Sequence, residues 1–144
     1  DPTIDLKIFP RCYQALGKVS FENGFYQLSL EYLYRSLDLA EQFHLEDIPI
    51  YLFNNIGEVF HQQGFLLKAF HSFHRALQLA RQMSPINAEY LAWSYNNIGM
   101  VYQQWNNSDY ALFYLEEALR LKSSLHPEKH PSLGNTNQNL GNIY

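Results

Sequence analysis

His71 and His74 stand three residues apart, a spacing that sets two imidazoles on one helix face and can hold zinc. His126 and His130 flank a short segment later in the chain. Neither pair has a cysteine or a second histidine pair within helical reach, so the first reads as a solvated helix face and the second as part of a linker. Glu116 and Glu117 are adjacent, and adjacent helical side chains splay apart, which prevents them from acting as a paired acid and base. Cys12 is the only cysteine; on a helix face it reads as a small apolar filler. It leaves no intrachain disulfide and favours a reducing, cytoplasmic location. Nowhere does a nucleophile meet a base at a helical spacing, and no phosphate-binding glycine loop occurs. The chain is expected to be no enzyme and to carry no cofactor and no metal.

With catalysis set aside, composition narrows the remaining classes. The 144 residues are 47% hydrophobic and 16% aromatic, enough for the continuous core of one domain. Formal charge is -4. Eight Asp and Glu face four Lys and Arg before Pro49, and six face six after it. Binding to phosphate backbones needs a basic stripe, so nucleic acid is not an expected partner. The apolar runs fall far short of the roughly 18 residues that would cross a bilayer, so no membrane association is expected.

What positions these residues is an internal repeat. Gly17, Gly57, Gly99 and Gly141 recur at spacings of 40, 42 and 42, inside the phrases YQALGKVS, FNNIGEVF, YNNIGMVY and NQNLGNIY. Gly24 with Gly64, Leu37 with Leu77 and Leu119, and Ala69 with Ala111 keep the same register. A period of this length marks a solenoid, in which each unit buries its apolar face against its neighbours. Phe53, Ile56, Gly57 and Phe60 form one helical face, and Ala69, Phe70, Phe73, Ala76, Leu77 and Ala80 form another, so each unit is a helical hairpin. Gly64 is placed to reverse the chain, and Asn106 takes that place in the next unit. Ser84-Pro85 and Asp47 with Pro49 read as helix starts. Helices are predicted over 10–22, 26–43, 49–62, 66–82, 86–104, 108–123 and 131–144. They group into three units, 10–43, 49–82 and 86–123, and the first helix of a fourth, 131–144. The expected fold is an all-α solenoid of antiparallel helix pairs in a right-handed superhelix. A last helix without its partner implies a stretch of a longer array.

Gly in a helix interior costs about 1 kcal/mol against Ala, so its recurrence needs a packing reason. Phe53, Ile56-Gly57, Phe60, Ala69, Phe73 and Ala76-Leu77 resemble the tetratricopeptide repeat, whose signature is an aromatic, Leu-Gly and Tyr on the first helix and Ala, aromatic and Ala-Leu on the second. A HEAT-type repeat would suit the period better, but the small-residue columns favour the tetratricopeptide pattern. The first unit departs from it at Ser20, Ser29 and Ser36. The 42-residue period, the paired asparagines and the linker SLHPEKHPSLGNTNQNLG look like the variant of kinesin light chains and many scaffolding proteins.

A repeated inner face makes a long surface suited to holding a partner. By helical stagger it should carry Arg11, Gln14, Ala15, Lys18, Phe21 and Glu22, then Tyr51, Asn54, Asn55, Glu58, His61 and Gln62, then Trp93, Asn96, Asn97, Met100, Gln103 and Gln104, and finally Asn135, Gln138, Asn139 and Asn142. Amides dominate. The ladder Asn55, Asn97 and Asn139 could pair with the main chain of an extended peptide, as the resemblance implies, or bond across neighbouring helices. A clamp for acidic tails, which tetratricopeptide co-chaperones build from Lys, Asn and Arg, is not matched: Lys18 and Asn55 fit, but Gln14, Trp93 and Asn97 do not. Two functions follow from this surface. One is a scaffold binding an extended or short helical peptide of a protein partner; the other is an assembly or regulatory arm of a larger polypeptide, beside further repeats or domains.

Overall fold

A computed structural model describes residues 5–125 of the chain. Among them the backbone forms six α-helices: α1 (Ile8–Glu22), α2 (Tyr26–Gln42), α3 (Ile48–Gln62), α4 (Leu66–Gln82), α5 (Ala88–Gln104) and α6 (Ser108–Leu125). Their bounds agree with the expected helices to within about two residues, the usual scatter at frayed ends. The helix expected over 131–144 lies outside the described residues.

Left-handed backbone at single residues closes the hairpins. Gly64 has φ +82° and Asn106 φ 58°, as the turn chemistry requires. The next N–H then reaches back to close the helix end, Phe65 N to the Phe60 carbonyl and Asn107 N to the Tyr102 carbonyl, each at 2.9 Å. The same closure occurs between units at His44, φ 54°, where Leu45 N reaches the Ala40 carbonyl at 2.9 Å. The break between these helices is expected, but histidine marks the left-handed position far less strongly than glycine or asparagine does.

Of two expected helix starts, one is corrected. Helix α5 begins at Ala88 and its cap is Asn87, whose side-chain oxygen accepts from Glu89 N at 3.0 Å and Tyr90 N at 3.2 Å. Ser84 and Pro85 lie in the linker ahead of it. Asp47 holds the N-cap position of α3 with Pro49 in the first turn, as expected, but its carboxylate makes no capping bond and faces Arg11 at 3.8 Å.

The glycine columns set the approach of the two helices in each unit. A Cβ on Gly17 or Gly99 would lie 2.7 Å from Leu33 or Leu115, and one on Gly57 would run into the Phe73 ring. Buried serines serve the first unit where the family pattern has alanine: Ser29 Oγ donates to the Gly17 carbonyl at 2.7 Å and Ser36 Oγ to the Pro10 carbonyl at 2.6 Å. Those bonds satisfy hydroxyls that would otherwise be costly to bury. Between units, Leu33, Leu37 and Ala40 of α2 pack on Leu52, Ile56 and Val59 of α3, as Phe73 and Leu77 of α4 pack on Ile98 and Val101 of α5. Successive first helices also touch, α1 with α3 and α3 with α5. Successive second helices make no comparable contact among the described residues, so this all-α solenoid curves with α1, α3 and α5 on its inner wall.

Overpacking at the glycine contact is the expected weak point. Gly57→Val should lower stability by about 1–3 kcal/mol in denaturant titration, since the buried Phe73 has nowhere to move. Adding Phe73→Leu, the residue type at the equivalent Leu33 and Leu115, should restore part of the loss. Additive losses in the double variant would mean that the two residues do not oppose one another.

Candidate binding groove

The inner wall brings the expected amides together but uses them unequally. Asn54 is completely buried. Its Nδ2 donates to Ser94 Oγ at 3.1 Å and to the Ile50 carbonyl at 3.2 Å, while its Oδ1 accepts from Asn97 Nδ2 at 3.1 Å. Asn97 is 3% exposed. Both were expected to face a ligand, and this geometry corrects that: their polar atoms are consumed in bonding α3 to α5. Buried amides left unpaired would be penalised, so the network takes precedence over exposure. Asn96 is buried too. Ser94, the third member, was not foreseen, because a serine flanked by aromatics carries no signal of its own.

Asn55 behaves differently. The residue is partly buried, but its Nδ2 atom is itself buried and has no hydrogen-bond partner among the described residues. In the repeat register Gln14 takes the place that Asn54 has opposite Asn97, yet no bond to Asn55 Nδ2 forms there. Asn55 lines a cleft of about 220 Å³ between α1 and α3, together with Lys18, Phe21, Glu22, Glu58 and Val59 and with Gly17, Ser29 and Leu33 behind them. Its walls are apolar and its rim carries one cation and two carboxylates.

The expected aromatics cross the same wall. Tyr51 and Trp93 meet edge to face with ring centroids 5.1 Å apart, and both are partly buried. Trp93 Nε1 donates to Glu58 Oε1 at 3.2 Å, tying the third unit to the second. Burial pushes the Glu58 carboxyl above its ordinary value; the Trp93 bond and the Lys18 charge oppose this without cancelling it. Burial likewise lowers His61, against a hydrogen bond with Gln104. Gln62 and Gln104 are exposed. Trp105 instead packs on Phe70 and Tyr102, at 5.2 and 5.8 Å, at the α5–α6 turn. Asn139 lies outside the described residues. His74 rests on the Phe70 ring at 4.6 Å, and no group of three or more metal-ligating side chains occurs among the described residues. No described helix is long and apolar enough to cross a membrane.

The family model described as "Tetratricopeptide repeat" matches residues 48–124, more than half of the chain. Comparison with curated proteins gives no match. Among solved structures, BtubC (BKLC) from P. vanneervenii superposes with a TM-score of 0.85 at 24% identity, over 100% of this chain and 58% of that one. RapI in its apo form gives 0.84 at 19% identity, over 98% and 38%. The N-terminal domain of stress-induced protein-1 from C. elegans gives 0.69 at 13% identity, over 96% and 99%. Such identities speak for the fold alone. The chain spans less than two thirds of BtubC and of RapI.

The division of labour among the asparagines is open to measurement. Asn54→Ala strands Asn97 Nδ2 in the core and should cost about 1–3 kcal/mol, whereas Asn55→Ala should leave stability nearly unchanged. Equal losses would refute the assignment. Glu58 supplies a pH test. Its folded pKa is raised, so the folded chain holds this proton more tightly than the unfolded chain does, and stability falls as pH rises through the raised value. Glu58→Gln keeps an acceptor for Trp93 and should raise the melting temperature at pH 7 while flattening its decline between the acidic and neutral range. A lower melting temperature at pH 7 would show that the Lys18 attraction dominates.

Proposed function

Since the chain belongs to the tetratricopeptide repeat family, we propose that it holds an extended or short helical segment of a protein partner against the inner wall formed by α1, α3 and α5. Such repeats generally serve as scaffolds for protein interaction, typically without catalysis of their own. The observation that carries the reading is the cleft between α1 and α3, where the unpaired Asn55 amide stands among apolar walls. An extended peptide has side chains to place beside Phe21 and Val59, and a carbonyl at every residue for the Asn55 amide once that side chain turns out of its buried position. Tyr51, Trp93, Gln62 and Gln104 extend the contact along the wall, and Asn139 belongs to the same proposed surface. Asn54 and Asn97 contribute by fixing the spacing of α3 and α5, and Asn96 lies buried beside them.

The period and the paired asparagines support placing these units in the kinesin light chain-like sub-type. A single cysteine supports a cytoplasmic location, and the acidic balance supports a protein rather than a nucleic-acid partner.

Peptides selected from a random library for binding to the chain provide the test. Asn55→Ala should weaken the selected peptides about two- to tenfold, the worth of one hydrogen bond, with little dependence on salt. Leu67→Glu, on the exposed face of α4, should leave them unaffected. Selected peptides that ignore Asn55→Ala and Trp93→Ala but lose affinity with Leu67→Glu would move the site to the outer wall.

A further inference from the structure

The outer side of α5 carries a second surface. Tyr95 and Tyr102 stand seven residues apart, on the side of the helix opposite Trp93, Asn97 and Gln104. They form the floor of a valley between α4 and α6, two helices that make no comparable contact with each other. Tyr102 stacks on Tyr114 with centroids 5.6 Å apart and planes 8° from parallel, and on Tyr110 at 5.1 Å and 23°. Tyr95 continues the stack against Tyr114 at 5.8 Å. At one end the Arg81 guanidinium of α4 lies over the Tyr95 ring at 5.6 Å and donates to its hydroxyl at 3.0 Å. At the other end Trp105 meets the edge of Tyr102 at 5.8 Å. This end is open to solvent, with Tyr110 55% and Trp105 39% exposed.

Packing of the repeat does not call for this stack. In the register set by Gly57 and Gly99, the four tyrosines correspond to Phe53, Phe60, Lys68 and Ser72, so the preceding unit folds on the same plan with two of the rings and no phenol hydroxyl. Charge differs as well. Helix α4 holds Lys68, Arg75 and Arg81 and no Asp or Glu, in a chain of formal charge -4, whereas α2 has Glu41 in the place of Arg81. Across the valley, Glu117 of α6 is bound to Arg120 at 2.9 Å, and Asp109 stands at the far end beside Tyr110. Helical walls have spent their backbone N–H and C=O groups within themselves, so a chain lying here finds no strand edge to pair with. Polyproline II needs none. It makes no internal hydrogen bonds, its proline rings pack on aromatic side chains, and its outward carbonyls accept from tyrosine hydroxyls and from an indole N–H. We propose that the valley between α4 and α6 docks a proline-rich segment of a partner protein, with acidic residues at the Arg81 end and prolines over Tyr102, Tyr110 and Trp105. This surface is independent of the inner-wall groove, since none of its residues lines the cleft.

Displayed peptides with a Pro-x-x-Pro core and random flanks, selected on the full chain, provide the test. The selected peptides should be acidic on one flank, and their affinity in fluorescence polarisation should fall steeply with salt, unlike that of inner-wall peptides. Arg81→Gln, a change at an exposed position, should weaken them about tenfold, the worth of one charge-assisted contact. Tyr110→Ala with Tyr114→Ser, the latter being the residue the preceding unit has there, should weaken them at least about tenfold while the chain still melts near the parent temperature. Asn55→Ala should change nothing. No enrichment over a library with alanine in place of both prolines overturns the proposal, and so do basic flanks or an affinity that survives Arg81→Gln and follows Asn55→Ala instead. Selected peptides that bind as well with their prolines replaced by alanine would make the occupant a helix. A parent dimer abolished by Tyr110→Ala would make it a second copy, and either result overturns the assignment.

Discussion

The absence of a side chain at Gly17, Gly57 and Gly99 sets the geometry on which the rest depends. Each allows the second helix of its unit to approach until Leu33, Phe73 or Leu115 rests against bare backbone. That approach fixes where the second helix stands, and its far face then becomes the seat of the next unit's first helix. Inner wall, cleft and stacking face all follow from this spacing. A methyl group at Gly57 would collide with a ring that is itself completely buried, so the displacement would pass to the neighbouring unit.

Polar groups on the inner wall serve two competing ends. A solenoid with wet first helices needs directional bonds between units, and it needs free donors if it is to hold a peptide. The seam between α3 and α5 takes the first course, with Asn54, Ser94 and Asn97 turned inward and Glu58 bonded to Trp93. The seam between α1 and α3 takes the second, with a cleft and an unpaired amide. The raised Glu58 carboxyl reflects the cost of placing a charge at the junction of the two.

The hairpin architecture was legible because its causes are local. Glycine columns, apolar periodicity and turn residues such as Gly64 and Asn106 act within a few residues of where they are written. The left-handed His44 was not legible, since histidine is not marked for that conformation, and neither was the Asn87 cap, hidden behind the stronger Ser84-Pro85 signal. Stagger alone grouped the asparagines of α3 and α5 on one side of their helices. Which asparagines are bonded could not be read in this way, because it depends on the geometry of the neighbouring unit: Asn97 reaches the Asn54 oxygen, whereas Asn55 Nδ2 reaches no acceptor among the described residues. Conformation along one helix can be counted off in the sequence, but pairing between helices some 40 residues apart cannot.

The unequal seams have a mechanical consequence. Apolar contact resists separation but is indifferent to direction, so two helices joined by it alone can slide or roll a little at small cost. Hydrogen bonds of about 3 Å tolerate no such drift, because they weaken steeply once donor and acceptor leave alignment. Helices α3 and α5 are pinned through the buried Asn54 network, whereas α1 meets α3 through apolar contact and an exposed ion pair of Arg11 with Asp47 at 3.8 Å, so the first seam holds its alignment with fewer directional bonds.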